Sequence, residues 1–339
     1  MGINMHRSFL ASICALVLLG SGTCWAAIVN DLKNRGVMNC GIYPNYPGFS
    51  SLAPDGTYVG FDVDVCKAVA AALNVSVKYV PLSGSERFAA IANRTVDILS
   101  MQVTWTAGRD ISNGLQFATT VYHDGQGFIT RKSLGLKSLK ELSGASICIP
   151  QGTTSELNTA DWFRANNLQL NAITFGNPDE MIRAYEAGRC DAFTSGVASL
   201  ASNRANLKQP DEHVILPELI SKEPLTPAIP EGDPKWLDVV NWTIFTLFIA
   251  EEKGITAANV DQMAKSTQDP EVKRLLGESG SIGADLGLDN QWAVRIIKAV
   301  GNYSDVFDRN LGKNGVLKLD RGLSAQWNKG GLLFAPPFR

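Results

Sequence analysis

The run from Phe61 to Leu73 constrains this chain most. Apolar residues at 61, 65, 69, 72 and 73 recur at a helical period, and Asn74 suits the C-terminal end of that helix. A strand-like run, Val37 to Ile42, precedes it, and a second, Ser76 to Val80, runs into Pro81 after it. A short helix over 85–92 and a buried strand over 96–100 follow. Strands that alternate with helices imply a mostly parallel sheet covered on both faces, an α/β fold. Open sheets of this kind place ligands beyond the carboxyl ends of their strands.

That rule selects Asp97 to Asp110. The stretch begins as a buried strand and turns polar, with hydroxyls at Thr104 and Thr106 and a guanidinium at Arg109. An Arg offers several N–H donors in a rigid fork that fits a carboxylate through two bonds. The expectation is a carboxylate clamp; the plain alternative is a surface loop with one solvated Arg.

The second half repeats the order of elements. A strand over 146–149 leads through Gly152-Thr153-Thr154 into a helix over 156–166. Free N–H groups at a helix start, with threonine hydroxyls beside them, suit an anion; simple N-capping by Thr153 or Thr154 explains them equally. A helix over 179–187 and a strand over 190–194 follow, and the end of that strand, Ser195-Gly196, should again face a cleft. Asp124 to Thr130 and Val214 to Pro230 read as crossings between two lobes. Trp236 to Ala250 is strongly apolar but short and interrupted by Asp238 and Asn241, so it reads as a buried helix rather than a membrane span. Helical segments continue near 257–264, 270–276, 291–298 and 301–309, and the tail, Trp327 to Arg339, should run over the surface.

With 339 residues, 45% apolar, the chain can bury a core, and a net charge of −2 without basic runs argues against a nucleic-acid surface. Residues 1–27 read as a secretory signal peptide: Arg7, an apolar stretch from Phe9 to Leu19, then small residues before a cut after Ala26 or Ala27. Cys14 and Cys24 would leave with it. Cys40, Cys66, Cys148 and Cys190 remain, and an even number in an exported chain suggests disulfides. Cys40 ends a strand and Cys66 lies in the following helix; Cys148 and Cys190 stand in the same relation further on. The expected pairs are Cys40–Cys66 and Cys148–Cys190. Zinc is the alternative, although no cysteine pair has the close spacing of such sites.

Several motifs then carry a resemblance. Gly60-Phe61-Asp62-Val63-Asp64, Thr106-Ala107-Gly108-Arg109, Gln151-Gly152-Thr153-Thr154 and Ile229-Pro230-Glu231-Gly232-Asp233 resemble the periplasmic solute-binding proteins of polar amino-acid ABC importers. Tyr122-His123-Asp124-Gly125-Gln126-Gly127-Phe128, Gly188-Arg189-Cys190-Asp191 and Ser221-Lys222-Glu223-Pro224-Leu225 are similar to its general L-amino-acid-binding branch. The resemblance implies a two-lobed type II periplasmic binding protein fold, each lobe a mostly parallel sheet flanked by helices, with two hinge crossings. Lobe 1 would hold 28–124 and 225–339, and lobe 2 would hold 125–224. It implies that Arg109 holds an α-carboxylate, that Thr104 and Gly152 to Thr154 assist, and that Tyr46 or Phe49 covers the ligand.

The chain also departs from the family. The family places an Asp at the end of the second-lobe strand to meet the ligand's ammonium, and here that position is Gly196. The branch has Arg and Asn where this chain has Met101 and Gln102. An ammonium buried without a carboxylate is costly, so either another acid supplies the charge or the ligand lacks a free α-ammonium. Gly196 and Met101 could also make room for a bulkier ligand. The expected function is capture of an amino acid or related carboxylate for an ABC permease, by a monomer without metal or cofactor. A periplasmic dehydratase on the same scaffold would need an acid or base in the cleft; beyond the signal only His123 and His213 offer an imidazole, and Gly196 removes the obvious carboxylate. A sensor's ligand domain would need a tether.

Overall fold

The computed structural model describes residues 27–339. The signal peptide expected over 1–27, with its two cysteines, lies outside the described residues except for Ala27, which opens the helix Ala27–Arg35.

The strands form two five-stranded sheets. In spatial order the first holds Ser76–Pro81, Val37–Ile42, Ile98–Leu99, Ala228–Pro230 and Leu115–Phe117. The second holds Asn171–Phe175, Ser146–Pro150, Ala192–Gly196, Gln126–Arg131 and His213–Ile215. Both sheets are mixed. Ala228–Pro230 pairs antiparallel with both its neighbours, and so does Gln126–Arg131. The remaining strands of each sheet run one way, so the expectation of a mostly parallel sheet holds apart from one reversed strand in each. In both cases the reversed strand is the first that the chain lays into a sheet after crossing.

The crossings are narrower than the sequence suggested. Tyr122–Asp124 and Glu223–Leu225 form a two-stranded antiparallel ladder in which Asp124 faces Glu223, His123 faces Pro224 and Tyr122 faces Leu225. The strand expected over 96–100 is reduced to Ile98–Leu99. The helix Phe61–Leu73 has the expected bounds, and Asn74 closes it in the left-handed region, φ 56°, which Asn tolerates better than most residues.

The 19-residue helix Pro234–Glu252 is buried, and Trp236 donates from its indole to the Asp97 carbonyl at 3.1 Å, tying it to the first sheet. Among the described residues no helix is long and apolar enough to cross a membrane. The tail runs largely over the surface, as expected, but is anchored near its end. Phe338 is fully buried, its ring against Trp242 and Trp292 at centroid distances of 5.4 and 6.3 Å. Nothing in the local composition of Pro336-Pro337-Phe338 signals this anchor.

Disulfides join Cys40 to Cys66, from a strand to the helix that follows it, and Cys148 to Cys190 across a 42-residue separation. In the second sheet Phe128, Ile147 and Ile149 belong to one apolar cluster, and Ile129, Cys148 and Phe193 to another. Neighbouring residues of one strand falling in different clusters is the two-faced burial of a sheet covered on both sides.

Candidate functional site

A cleft lies between the carboxyl ends of the two sheets, with about 620 Å³ of space free of protein atoms, its mouth included. Of the residues expected at a site, Tyr46, Gln102, Thr104, Thr153, Thr154 and Gly196 line it. Gly152 sits at the rim with φ +73°, facing Ser85 across the gap. Three expectations are corrected. Met101 is fully buried and Phe49 is 1% exposed, both in the main core, where Phe49 packs edge-on against Phe61 and Tyr122. Met101 follows the strand pointing inward, so it cannot enlarge the cleft, and Tyr46 with its neighbour Tyr43 supplies the aromatic wall, their ring centroids 4.8 Å apart. Thr106 caps the short helix Ala107–Ser112, accepting from the Arg109 N–H, and does not line the cleft.

The clamp expected at Arg109 is corrected as well: Arg109 does not line the cleft and stands one layer back. Its guanidinium donates to the Thr104 carbonyl at 2.8 Å and lies over the Phe88 ring at 5.2 Å. Arg87, which sequence reasoning missed, lines the cleft itself and is 2% exposed. It donates to the Tyr43 hydroxyl at 3.0 Å, lies 4.8 Å from the same Phe88 ring, and keeps a buried Nε without a partner. The two cations share one corner: burial, with Arg87's positive charge adding to it, pulls Arg109 down to about 10. Gln102 joins this side. Its Oε1 accepts the Ser199 hydroxyl, while its buried Nε2 has no partner. Its backbone is left-handed, φ 54°, an uncommon state for Gln that burial of the side chain holds in place.

The cleft is also lined by acids, and these too were missed. Glu223 is 4% exposed and lines the cleft. Its carboxylate accepts the Thr104 hydroxyl, the Thr154 hydroxyl at 2.9 Å, the Asn158 amide at 2.9 Å and the Ser221 hydroxyl at 2.6 Å. Thr104 follows a strand of the first sheet and Thr154 opens the helix after a strand of the second, so Glu223 laces the two sides together. Asp124 also lines the cleft. It accepts the Gly125 N–H at 2.9 Å and the Ala198 N–H at 3.2 Å, at the start of the helix Val197–Ala205. Burial pushes its carboxyl up to about 7; the backbone donors pull the other way and Glu223's charge adds to the rise. Among the described residues no Lys, Arg or His lies within 4.0 Å of either carboxylate.

The turn expected to bind an anion is otherwise engaged. The Gly152 N–H donates to Glu156, the Thr153 hydroxyl to the Pro150 carbonyl, and the Thr154 hydroxyl to Glu223. Thr153 stands at the N-cap position but makes no side-chain cap bond. A hydroxyl has one proton and two lone pairs. Thr104 and Thr154 spend that proton on Glu223, so toward a ligand they can only accept.

Neither histidine lines the cleft. His213 pairs its Nδ1 with the Tyr185 hydroxyl at 2.6 Å in the core of the second sheet, and His123 pairs opposite Pro224 on the crossing. Of the alternatives left open at Gly196, the cleft does hold other acids, Asp124 and Glu223. Among the described residues no cluster could hold a metal ion.

Residues 38–252 match the model of the bacterial extracellular solute-binding proteins, family 3. The chain belongs to this family. It is 50% identical to the General L-amino acid-binding periplasmic protein AapJ of Rhizobium johnstonii, over 98% of this chain and 99% of that protein. It is 48% identical to the glutamate/glutamine/aspartate/asparagine-binding protein BztA of Rhodobacter capsulatus, over 99% of this chain and 100% of that protein. Among solved structures, a periplasmic binding protein of an ABC transporter from Brucella ovis, with glutathione bound, superposes with a TM-score of 0.89 at 49% identity, covering 92% of this chain and 99% of that one. The fold is thus the type II periplasmic binding protein fold.

Proposed function

We propose that this chain is the periplasmic binding component of an ABC importer and that it captures a zwitterion, an L-amino acid or a small peptide-like derivative carrying both a carboxylate and an ammonium. One observation carries the reading: the same cleft is lined by the guanidinium of Arg87 and by the carboxylates of Asp124 and Glu223. A zwitterion meets both, whereas an organic acid would leave two carboxylates beside each other in a low-dielectric site. The relatives support this, since two are named for binding amino acids and one solved neighbour holds glutathione, which bears an α-amino acid end.

In this reading residues 28–124 and 225–339 form one lobe and 125–224 the other, and the lobes close on the ligand about the Asp124–Glu223 ladder. Carboxylate recognition falls to Arg87, with Arg109 behind it adding its charge to the same corner. Tyr46, Gln102 and the hydroxyls of Thr104 and Thr154 complete the wall. The chain acts as an exported monomer after loss of residues 1–27 and hands its ligand to a membrane permease. The test is a thermal-shift and calorimetric panel on the chain lacking residues 1–27, comparing L-amino acids, glutathione, N-acetyl derivatives and 2-hydroxy acids. Ligand that binds only the folded state raises the melting temperature by mass action. Strong shifts with L-amino acids or glutathione are the expected result. Strong shifts confined to N-acetyl derivatives or 2-hydroxy acids would overturn the zwitterion assignment.

A further inference from the structure

The glycine at 196 and the aspartate at 124 explain each other. A Cβ on residue 196 would meet Asp124 Oδ2 at 2.5 Å, a distance real Cβ atoms do not show. The backbone of Gly196 is ordinary, φ −56° and ψ 142°, so the glycine is not required by its conformation. The space a side chain would take is held by the Asp124 carboxylate, which would have to swing aside for any other residue here. Resting on the proposed function, we infer that the acid meeting a ligand's ammonium in this protein is Asp124, delivered by the crossing strand into the space a side chain at 196 would occupy and acting with Glu223 on the other crossing strand.

Three further observations converge on that place. Asp124 and Glu223 are direct partners in the antiparallel ladder, so their side chains share a face at a separation where like charges repel. Such a pair is stable when a cation comes between them. The Thr104 and Thr154 hydroxyls donate to Glu223 and present lone pairs only, which suits a donor such as –NH3+ and not a carboxylate. Arg87 lines the same cleft and brings to it a cation for the carboxylate of the same ligand. An ammonium would then donate to Asp124 and to a threonine oxygen, with Glu223, whose two oxygens already take two donors each, adding its negative charge. Because both acids sit on the crossings, the ligand's positive charge is read by the segments that link the two sheets and not by a strand end of one of them.

The test uses the ratio of dissociation constants for a 2-hydroxy acid and the matching L-amino acid, which differ only in –OH for –NH3+. The wild-type chain is expected to favour the amino acid about 100-fold. Asp124→Asn should bring that ratio to within a few-fold by weakening the amino acid, leaving the hydroxy acid nearly unchanged, with an unliganded melting temperature that reports intact folding. Asp124→Gly and Gly196→Asp should each lose the preference, while Asp124→Gly/Gly196→Asp together should regain at least tenfold of it, since the carboxylate returns to the same space from the other strand. Equal loss for both ligands in Asp124→Asn, no loss for either, or a double variant no better than Asp124→Gly would overturn the assignment. A wild-type chain that binds hydroxy acids as tightly as amino acids overturns it too while leaving carboxylate capture standing. A wild-type chain that binds only the amino-acid amide, through a group lost in Asp124→Asn, does the reverse: it upholds Asp124 and removes the carboxylate reading. No binding of any of the three removes both.

Discussion

The two walls of the cleft are built on different principles. The cationic wall is local: Arg87, Phe88, Gln102, Thr104 and Arg109 fall within 23 residues of sequence, and both guanidiniums are ordered around the one Phe88 ring. The acidic wall is assembled from three separate parts of the chain, residues 124, 196 and 223, brought together by a ladder between two crossing strands. A local wall gives a fixed shape that any carboxylate can use. A wall made from the crossings exists only when they are paired, so selection for the ammonium and the approach of the two sides become one event.

Loss of the cationic wall should have the largest consequence. Arg87→Met/Arg109→Met should weaken every carboxylate ligand, amino acid and hydroxy acid alike, by a factor of about 1,000, on the order of 4 kcal/mol for the charged donor on the cleft and the cation behind it. Calorimetry that finds one ligand class spared would erase the distinction between the walls. Next comes Glu223→Gln, expected to weaken amino acids about 30-fold, because the negative charge is lost and an NH2 replaces an oxygen that two donors converge on. An unchanged affinity would mean that the lacing of Thr104 to Thr154 does not matter for closure.

The pH response should separate the walls by about tenfold. In the empty cleft Asp124 is pushed up to about 7, so below that pH an incoming ammonium must first displace a proton. Affinity for an amino acid should therefore rise about tenfold between pH 6 and pH 8, while that for a 2-hydroxy acid shows no such rise. A flat amino-acid profile in buffers of matched ionic strength would break the link. Stability runs in the opposite direction. The folded state holds this proton more tightly than the unfolded chain, whose value is near 3.8, so the group's contribution is full at low pH and is lost as pH rises through 7. Asp62, buried behind the cleft and pushed up to about 8, adds to that stability trend but does not line the cleft. The smallest effect is expected at Gln102. Gln102→Leu removes a donor but also a buried polar group without a partner, and should change affinity only a few-fold. A loss as large as that of an arginine would move Gln102 to the centre of carboxylate recognition.

This contrast also explains what the sequence made legible. The α/β class, the helix Phe61–Leu73 and the position of Thr104 beyond a strand follow from local periodicity, and so they could be read. Arg87 was passed over because it lies inside a short amphipathic helix, where an Arg more often points to solvent. Asp124 and Glu223 could not be paired, because residues 99 apart in sequence meet only through the register of a tertiary ladder. Gly196 was the one usable trace: a missing acid where the family carries one. Met101 and Phe49 misled for the opposite reason, since each borders a loop in sequence yet turns its side chain into the core.

The reversed strands bear on time as well as shape. In the second sheet Gln126–Arg131 lies between Ala192–Gly196 and His213–Ile215, so every strand of that sheet comes from one continuous stretch, 126–215. In the first sheet the reversed strand, Ala228–Pro230, is also interior, wedged between Ile98–Leu99 and Leu115–Phe117. That sheet keeps a gap at its centre until the chain has gone out and come back. The half that begins first must therefore finish last, and pulsed amide labelling during refolding should find 126–131 and 192–196 protected before 98–99 and 115–117.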